Sequence, residues 1–394
     1  GFKGEIFDLA VVFTKVTIFG VLFNGINSIF NGYLQYHNRF LINPLGGILI
    51  NVIVIAMIFI SAHTHPVLLA FSVILGALIQ TILYYYVMRK MGYEYEWTMD
   101  LSDPYLKDML ALAVPIMLGA SVNQVNNIVD RTMASAVQDG AIATLNYASK
   151  LSDSVYILFV STISTVMYPT LTRQAAAKEY SALQDTVVKI LNSVILIVIP
   201  ATFGMMALSE PIIRFFYGRG QFDQEAIKLT SQVLYFYSIG ITAYGLRLIL
   251  TRTFYSLHDS KVPVIAGVIS VISNIIMNMI FSKYLGTAGL ALATSLSAFI
   301  AVFVLHIALH RKLSDLNTSQ FIKTSIKTVG VSLVMSMIVK MTYTFLLSKM
   351  SYFLSMVISV SIGILFFMIV MSFMRIEEYD EIKKIILGKL NLVK

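Results

Sequence analysis

The chain has 394 residues, of which 57% are hydrophobic and only 13% are charged, with 29 basic and 21 acidic side chains. So little charge excludes an ordinary soluble protein of this size, which needs polar groups across its surface, whereas a bilayer solvates apolar side chains directly. The chain has no cysteine, which excludes disulfide bonds, thiolate metal sites and cysteine nucleophiles.

Apolar segments long enough to cross a bilayer follow one another along almost the whole chain. A helix needs about 20 apolar residues to span the hydrocarbon core. On this criterion we predict about eleven transmembrane helices, near residues 9–36, 44–62, 66–88, 106–137, 141–170, 186–208, 226–257, 263–281, 288–310, 321–347 and 352–374. The segments do not alternate every second residue, which excludes the strands of an outer-membrane barrel. The predicted fold is an all-α polytopic membrane protein.

Basic residues are concentrated in alternate connections between these spans. The richer set contains Arg89, Lys90, Arg173 and Lys178 and ends with a basic tail after Met374. The positive-inside rule places this set, and with it the C-terminus, on the cytoplasmic side. Membrane topology and an anionic leaflet then account for the net charge of +8, and nucleic acid is not an expected partner. With about eleven spans the chain would begin outside the cell, which an odd number of preceding helices would correct.

Two similar helix junctions lie about 220 residues apart, which indicates an internal repeat. The segment 33–39 followed by Pro44 resembles the segment 254–261 followed by Pro263. Transporters often contain parallel repeats, although two helix junctions can also look alike by chance. The repeat predicts three helices ahead of this chain. It also predicts three regions: a partial first lobe with a cytoplasmic linker at residues 1–100, a complete six-helix second lobe at residues 101–315, and two terminal helices with a basic tail at residues 316–394.

Polar residues inside the predicted spans indicate function, because a charged side chain at the bilayer centre costs about 2.5–3.5 kcal/mol. The fourth span carries Asp130 and Arg131 after several amide side chains, among them Asn123. In one interpretation Asp130 only pairs with Arg131 or caps polar contacts between helices. In the other, a hard monovalent cation such as Na⁺ binds to oxygen atoms of Asp130, Asn274, Asn278, Thr294 and the backbone near Leu290.

Basic residues within the spans indicate an anionic ligand. Lys150 lies in the fifth span, with Asp153 three residues further on. The two side chains could form an ion pair that only stabilises packing. Alternatively, Lys150 faces a cavity and attracts a phosphate group. We favour this second interpretation, in which a basic cavity is completed by Arg131, Arg39 and Arg247.

Several segments resemble, in the same order, those of the MurJ/MviN family of lipid II flippases. They read AVPIMLG, VDRTMAS, NYASKL, EPI with FYGRGQF, RTFYSLHDSKVP and AGLALATS, at residues 113–119, 129–135, 146–151, 210–222, 252–263 and 288–295. The junction from Asn38 to Pro44 also resembles the one that follows the family's fourth helix. The resemblance covers essentially the whole chain, and its specificity lies in the shared order of the segments.

The resemblance implies a fourteen-helix protein of the MOP exporter superfamily, of which this chain would begin just before the fourth helix. It implies that the protein carries an undecaprenyl-pyrophosphate-linked peptidoglycan precursor from the cytoplasmic to the outer leaflet by alternating access. An ion gradient, the membrane potential or both would drive this step of cell-wall synthesis. The protein would be a non-enzymatic monomer among the lipids of a bacterial cytoplasmic membrane, with no cofactor other than a bound Na⁺.

The chain departs from the family pattern at two site residues. The position of Lys150 usually carries an arginine, so this chain keeps the positive charge but loses the bidentate guanidinium. Asn278 stands where some relatives have a carboxylate. The family's first three helices, which carry several substrate-binding arginines, are not in this sequence.

Three other functions stay open from the sequence. The first is export of another lipid-linked oligosaccharide, including a sporulation-specific precursor. The second is multidrug or cation antiport, in which Asp130 would be the coupling carboxylate. The third is a scaffold that transports nothing, which the polar residues inside the spans disfavour.

Overall fold

The computed structural model describes residues 4–96, 100, 102–313, 318–374, 376 and 378–380. Within the helix at 104–137 it leaves out the side chains of residues 105, 108, 111, 112, 114–116, 118–120, 122 and 123. The predicted basic tail and the side chain of Asn123 therefore lie outside the described residues. The described residues form helices and their connections, with no strand among them.

The helices divide between two compact units, residues 1–109 and residues 110–394. The first unit contains α1 to α4, at Glu5–Thr17, Gly20–Tyr36, Ile42–His63 and Leu68–Lys90. Helix α5, at Pro104–Val137, begins at the end of this unit and lies mostly in the second. The second unit continues with α6 to α14, at Ala141–Val155, Thr162–Ala176, Tyr180–Ala207, Ser209–Tyr217, Gln224–Ser256, Lys261–Leu285, Thr287–Lys312, Thr318–Leu347 and Tyr352–Phe373.

The predicted all-α polytopic fold is confirmed. Among the described residues, 10 helical segments are long and apolar enough to cross a membrane. They match all the predicted spans except the fourth, which coincides with α5, a helix of 34 residues. At about 1.5 Å per residue, α5 is also long enough to cross a bilayer. The number of spans thus agrees closely with the prediction of about eleven.

Three local features differ from the simple predicted spans. The first span is two helices, α1 and α2, separated by a turn at Ile18 and Phe19. The fifth span is interrupted by a π-helical turn at Tyr156–Ser161, between α6 and α7. The short helix α9, which begins at Ser209, follows the sixth span and was not predicted. Apolar periodicity detects a long buried segment but does not register such short changes of backbone geometry.

Hydrogen bonds between polar side chains join three helices of the first unit. Asn27 of α2 donates to Gln80 of α4 at 3.1 Å, and Gln80 donates to the Tyr84 hydroxyl at 2.8 Å. That hydroxyl donates to Asn43 of α3 at 2.9 Å. Gly46 permits this close packing, because a Cβ atom there would lie 2.7 Å from Gln80 Nε2. An unsatisfied amide would be costly in an apolar environment, and this arrangement pairs each amide with a neighbour.

Helices α8 and α10 form the centre of the second unit. In the most apolar 18-residue stretch of each helix, 56% of α8 and 61% of α10 is buried inside the protein, compared with 22% for both α13 and α14. Helix α10 packs against α6, α8 and α12, while α13 packs on α8 and α14 packs on α13. Burial inside the bundle explains why α10 tolerates many polar residues, whereas the exposed apolar faces of α13 and α14 suit contact with lipid.

The two similar junctions in the sequence have the same structure. Helix α2 ends at Tyr36 and α10 ends at Ser256, and each is followed two residues later by a left-handed residue. These residues are Asn38, with φ of 59°, and His258, with φ of 56°. In both junctions a proline then occupies the third position of the next helix. The two junctions therefore share their backbone geometry, and the internal repeat stays a prediction.

Candidate functional site

A polar cavity of about 430 Å³ lies within the second unit. It is bounded by α5, α6, the π-helical turn, α10 and α12. Its lining consists of Asn127, Asp130, Arg131, Ile142, Leu145, Asn146, Ser149, Ser152, Asp153, Tyr156, Tyr237, Tyr244 and Thr294. The α6 residues recur every three or four positions, which places them on one helix face. The cavity volume fits a small ligand or the head of a larger one.

Asp130 joins α5 to α11 and α12 through hydrogen bonds at one wall of the cavity. Asn278 of α11 donates to Asp130 Oδ1 at 2.6 Å, and the Thr294 hydroxyl of α12 lies 3.4 Å from Asp130 Oδ2. Asn126 donates to Oδ2 from one turn earlier in α5, at 3.3 Å. The Thr294 hydroxyl also lies 2.9 Å from the carbonyl oxygen of Leu290. The structure thus brings together the residues that the sequence grouped as cation ligands.

The Asn274 amide can face this cluster in two orientations. With its oxygen toward the cluster, it accepts from Asn278 at 2.8 Å. The same oxygen then lies 3.0 Å from Asp130 Oδ1 and 2.9 Å from Asn126 Oδ1. With its nitrogen toward the cluster, Asn274 donates to those two oxygens at the same distances. The first orientation gathers three oxygen atoms, which a cation would stabilise, whereas the second satisfies the carboxylate by hydrogen bonding alone.

The cluster is buried and not fully satisfied by the protein itself. Asn278 is 0% exposed and Asn274 is 1% exposed. Within the described part of the chain, Asn278 Oδ1 has no hydrogen-bond partner. A carboxylate surrounded by neutral oxygens suits a monovalent ion better than a divalent one, because a divalent ion usually requires more negative charge. No group of three or more His, Cys, Asp or Glu side chains that could hold a metal occurs among the residues described.

The predicted basic residues occupy four different environments. Arg131 lines the cavity beside Asp130. Lys150 is exposed on α6 and is not part of the lining. Arg247 is half-buried on α10, also outside the lining. Arg39 lies in the connection between α2 and α3 in the first unit. The basic cavity therefore remains a prediction, and the structure assigns Arg131 alone among these residues to its lining.

The alternative interpretation, an ion pair between Lys150 and Asp153, is not observed among the described residues. In the described ranges no ion pair involves either side chain. Asp153 instead lines the cavity, so the lining contains the carboxyl groups of Asp130 and Asp153 and the guanidinium of Arg131. This mixture of charges can hold a cation, an anion or a dipolar group.

Sequence reasoning did not identify the tyrosines of the cavity. Tyr156 follows the polar face of α6, while Tyr237 and Tyr244 lie on α10. The latter two are seven residues apart, a spacing that places them on one side of a helix. That spacing was the available signal, but in an apolar helix it equally describes a packed core.

Sequence comparison shows which known proteins this chain resembles. The family profile described as "Lipid II flippase MurJ" matches residues 1–370. A probable lipid II flippase MurJ of Vibrio cholerae is 31% identical over 310 residues, which cover 77% of this chain and 58% of the relative. The lipid II flippase MurJ of Burkholderia cenocepacia is 26% identical over 343 residues, covering 84% of this chain and 66% of that protein. The chain thus spans about three fifths of the length of these relatives.

Structure comparison gives the same family. A lipid II flippase MurJ in an inward closed conformation matches with a TM-score of 0.74 and 26% identity, over 94% of this chain and 74% of that protein. An inward-facing MATE multidrug transporter of the MOP superfamily matches with a TM-score of 0.70 and 15% identity, over 80% of this chain and 74% of that protein. The second match shows a shared fold only. From the family profile and the Vibrio cholerae relative, this chain belongs to the MurJ family of lipid II flippases.

Proposed function

We propose that the protein containing this chain moves lipid II, the lipid-linked peptidoglycan precursor, from the cytoplasmic to the outer leaflet of a bacterial cytoplasmic membrane. The observation that carries the proposal is the family match over residues 1–370. The polar cavity inside an otherwise apolar helical unit supports it, because a flippase must shelter a charged headgroup from the hydrocarbon core.

The proposed movement requires no covalent chemistry. Lys150 and Arg131, together with Arg39 and Arg247, attract the pyrophosphate, and the prenyl chain stays in the apolar membrane along a groove between helices. The protein alternates between states that open to one side of the membrane or the other, and acts as a monomer with its C-terminus in the cytoplasm. A driving ion or voltage acts by favouring one state over the other.

Na⁺ is the proposed coupling ion, bound by Asp130, Asn274, Asn278, Thr294 and the carbonyl of Leu290. Two observations support this assignment: Asn278 and Thr294 lie within hydrogen-bond distance of Asp130, and the buried Asn278 Oδ1 has no hydrogen-bond partner among the described residues. Asp130 comes from α5, whereas the other ligands come from α11 and α12. Binding of the ion would therefore hold α5 against that helix pair and stabilise one state of the transporter.

Antiport of organic cations is the second candidate function. It is favoured by the two carboxyl groups, Asp130 and Asp153, that line the cavity while Lys150 does not. The MATE-like fold is compatible with either function, because one fold hosts transporters of different substrates.

Rescue of a strain depleted of its own lipid II flippase distinguishes these functions. We expect the natural protein that contains this chain to restore growth, and Lys150→Ala to abolish rescue while membrane expression stays normal. Lys150→Arg is the matched control, because it keeps the charge and restores the residue usual in the family. Dye efflux without growth rescue would reject lipid II transport and support cation antiport. Full rescue by Lys150→Ala would limit that lysine to a structural role.

A further inference from the structure

Arg247 and Arg252 on α10 are half-buried, and their guanidinium groups have no hydrogen-bond or ion-pair partner among the described residues. Arg247 and Arg252 both have intermediate exposure. Among the residues that the structure describes, neither side chain makes a hydrogen bond or an ion pair. A guanidinium has five N–H donors and remains charged, so its partial burial is favourable only when those donors reach an acceptor.

Two arginines that precede the N-terminal end of α10, Arg214 in α9 and Arg219 in the following connection, have hydrogen-bond partners. Arg214 donates to Glu210 at 2.8 Å and to Gln224 at 2.9 Å. Arg219 donates to the carbonyl oxygens of Phe215 and Phe216, at 3.3 and 3.4 Å. Within the described residues, Arg247 and Arg252 thus differ from these two arginines in having no hydrogen-bond acceptor. This difference also makes Arg219 a matched control for changes in charge.

Tyr168 contacts Arg252 through its aromatic ring, and none of the described residues accepts a hydrogen bond from the Arg252 guanidinium. The Arg252 guanidinium carbon lies 5.4 Å from the centre of the Tyr168 ring. An arginine over an aromatic face is held by cation–π attraction, which uses the flat face of the guanidinium and not its edge. Both Arg247 and Arg252 also lie within electrostatic range of Tyr156, which lines the cavity. Asp153, one turn from Tyr156, pairs with neither arginine in the described structure.

The π-helical turn at Tyr156–Ser161 explains how Tyr156 and Tyr168 both face α10. On an ideal α-helix, residues twelve positions apart point about 120° away from each other. A π-helical turn contains one additional residue, which rotates the following residues back by about 100°. Tyr168 thus returns to the side of Tyr156 that faces α10, where Arg252 contacts its ring.

The position of the arginines near the end of α10 favours a ligand phosphate that is attached to a lipid. Helix α10 ends at Ser256, so Arg252 lies about one helical turn, roughly 6 Å, from the helix end. That end carries the basic residues Lys261 and Lys312. A lipid phosphate near the membrane interface lies at this depth, and further basic residues there would increase its local concentration.

We propose that Arg247 and Arg252 form a binding site for a lipid phosphate, between the basic helix ends and the cavity. Arg252 binds the phosphate oxygens with its free edge while Tyr168 supports its face, and Arg247 binds from one to two turns deeper. The Tyr156 hydroxyl lies where the site meets the cavity. If the proposed lipid II transport is correct, a pyrophosphate headgroup meets this site before it reaches Asp130.

Binding of purified protein to three probes tests the site. The probes are undecaprenyl pyrophosphate, phosphatidylglycerol and inorganic pyrophosphate, measured with wild type, Arg247→Gln, Arg252→Gln and the control Arg219→Gln. We expect at least one lipid probe to bind about tenfold more weakly to Arg252→Gln and Arg247→Gln, as for the loss of a charged hydrogen bond. Arg219→Gln should bind like wild type. Tyr168→Leu should weaken binding less, because it leaves the guanidinium in place.

The results separate the possible sources of the phosphate. If the Arg247→Gln and Arg252→Gln variants bind only undecaprenyl pyrophosphate more weakly, the site belongs to the cargo. If they bind only phosphatidylglycerol more weakly, the site belongs to a bilayer lipid. Failure of growth rescue together with weaker binding would reject the transport proposal and keep the site. Unchanged binding of both lipids to the folded Arg252→Gln and Arg247→Gln variants would overturn the proposal, as would an equal loss in Arg219→Gln.

Discussion

At the residue scale, the Asp130 cluster combines burial, one carboxyl group and several neutral oxygens. Two of its amides, Asn274 and Asn278, are almost completely buried, and one orientation of the Asn274 amide places its oxygen within 3.0 Å of both Asp130 Oδ1 and Asn126 Oδ1. A buried polar group is costly unless it has a partner. The cluster can therefore adopt one hydrogen-bond pattern without a cation and another with one.

Replacing Asp130 with Asn should remove stabilisation by Na⁺. A ligand that binds the folded state stabilises it by about 2.7 kcal/mol at a hundred times its Kd. We expect NaCl to raise the Tm of wild type relative to choline chloride at equal ionic strength, and to leave Asp130→Asn unchanged. Asp139→Asn, an exposed change beyond the same helix, should keep the wild-type response. An identical response to Na⁺ in Asp130→Asn would rule out this site.

The ion pair between Asp259 and Lys312 should make stability depend on pH. Lys312 Nζ lies 2.6 Å from Asp259 Oδ2, and this hydrogen bond lowers the pKa of Asp259 below its ordinary value of 3.8. A lowered carboxyl pKa stabilises the folded state above that ordinary value, and the contribution is lost as the pH falls through the lowered pKa. Because the pair is partly exposed, it should contribute only about 0.2–1 kcal/mol.

Thermal unfolding of Asp259→Asn measures this contribution. The variant should have a lower Tm than wild type at pH 7, and the difference should shrink as the pH falls below the ordinary pKa of 3.8 and disappear below the lowered pKa. Lys312→Met should give the same pH-dependent difference, since it removes the other half of the pair. A difference that persists unchanged at the lower pH would show that the ion pair is not its source.

At the element scale, the contact between α10 and α12 depends on a glycine. A Cβ atom on Gly240 would lie 2.7 Å from Ser295 Oγ and 3.2 Å from Ser295 Cα. The same Ser295 hydroxyl donates to the Phe236 carbonyl at 2.7 Å. The small residue thus permits both close approach of the helices and a hydrogen bond between them, as in other membrane helix pairs.

Gly240→Ala should destabilise the protein despite the higher helix propensity of alanine. Overpacking typically costs about 1–3 kcal/mol, which exceeds the propensity gain of about 0.5–1 kcal/mol. Gly330→Ala in α13 is the matched control, because no atom lies within 4 Å of its added Cβ. We expect a lower Tm for the first variant and an equal or higher Tm for the second. Similar Tm changes in both would contradict the packing argument.

The elements themselves were largely predictable from the sequence, because transmembrane helices follow from the length and hydropathy of local segments. The break at Ile18 and the π-helical turn at Tyr156 were not, since both are short changes of backbone geometry inside continuous apolar segments. The candidate site was likewise only partly predictable from the sequence. Asn274 and Asn278 share a helix face by their spacing alone, whereas their contact with Asp130 spans 148 residues for Asn278. Their polar character inside apolar spans suggested the grouping, but only the folded structure shows the contact.

At the scale of the whole molecule, the two similar helix junctions differ in the charge that they carry. The junctions after α2 and α10 share their backbone geometry, yet the left-handed residue is followed by Arg39 in the first and Asp259 in the second. Asp259 pairs with Lys312, whereas no such partner of Arg39 occurs in the described ranges. The two junctions therefore share their backbone geometry but not their charge.

Exposure of lipid II at the outer leaflet tests the central claim most directly. It can be measured as cleavage of labelled lipid II by an externally added, membrane-impermeant hydrolase, in cells depleted of their own flippase. We predict that the natural protein containing this chain restores cleavage, and that Lys150→Arg does so while Lys150→Ala does not. If cleavage stays at the depleted level although the protein is present in the membrane, the protein does not transport lipid II.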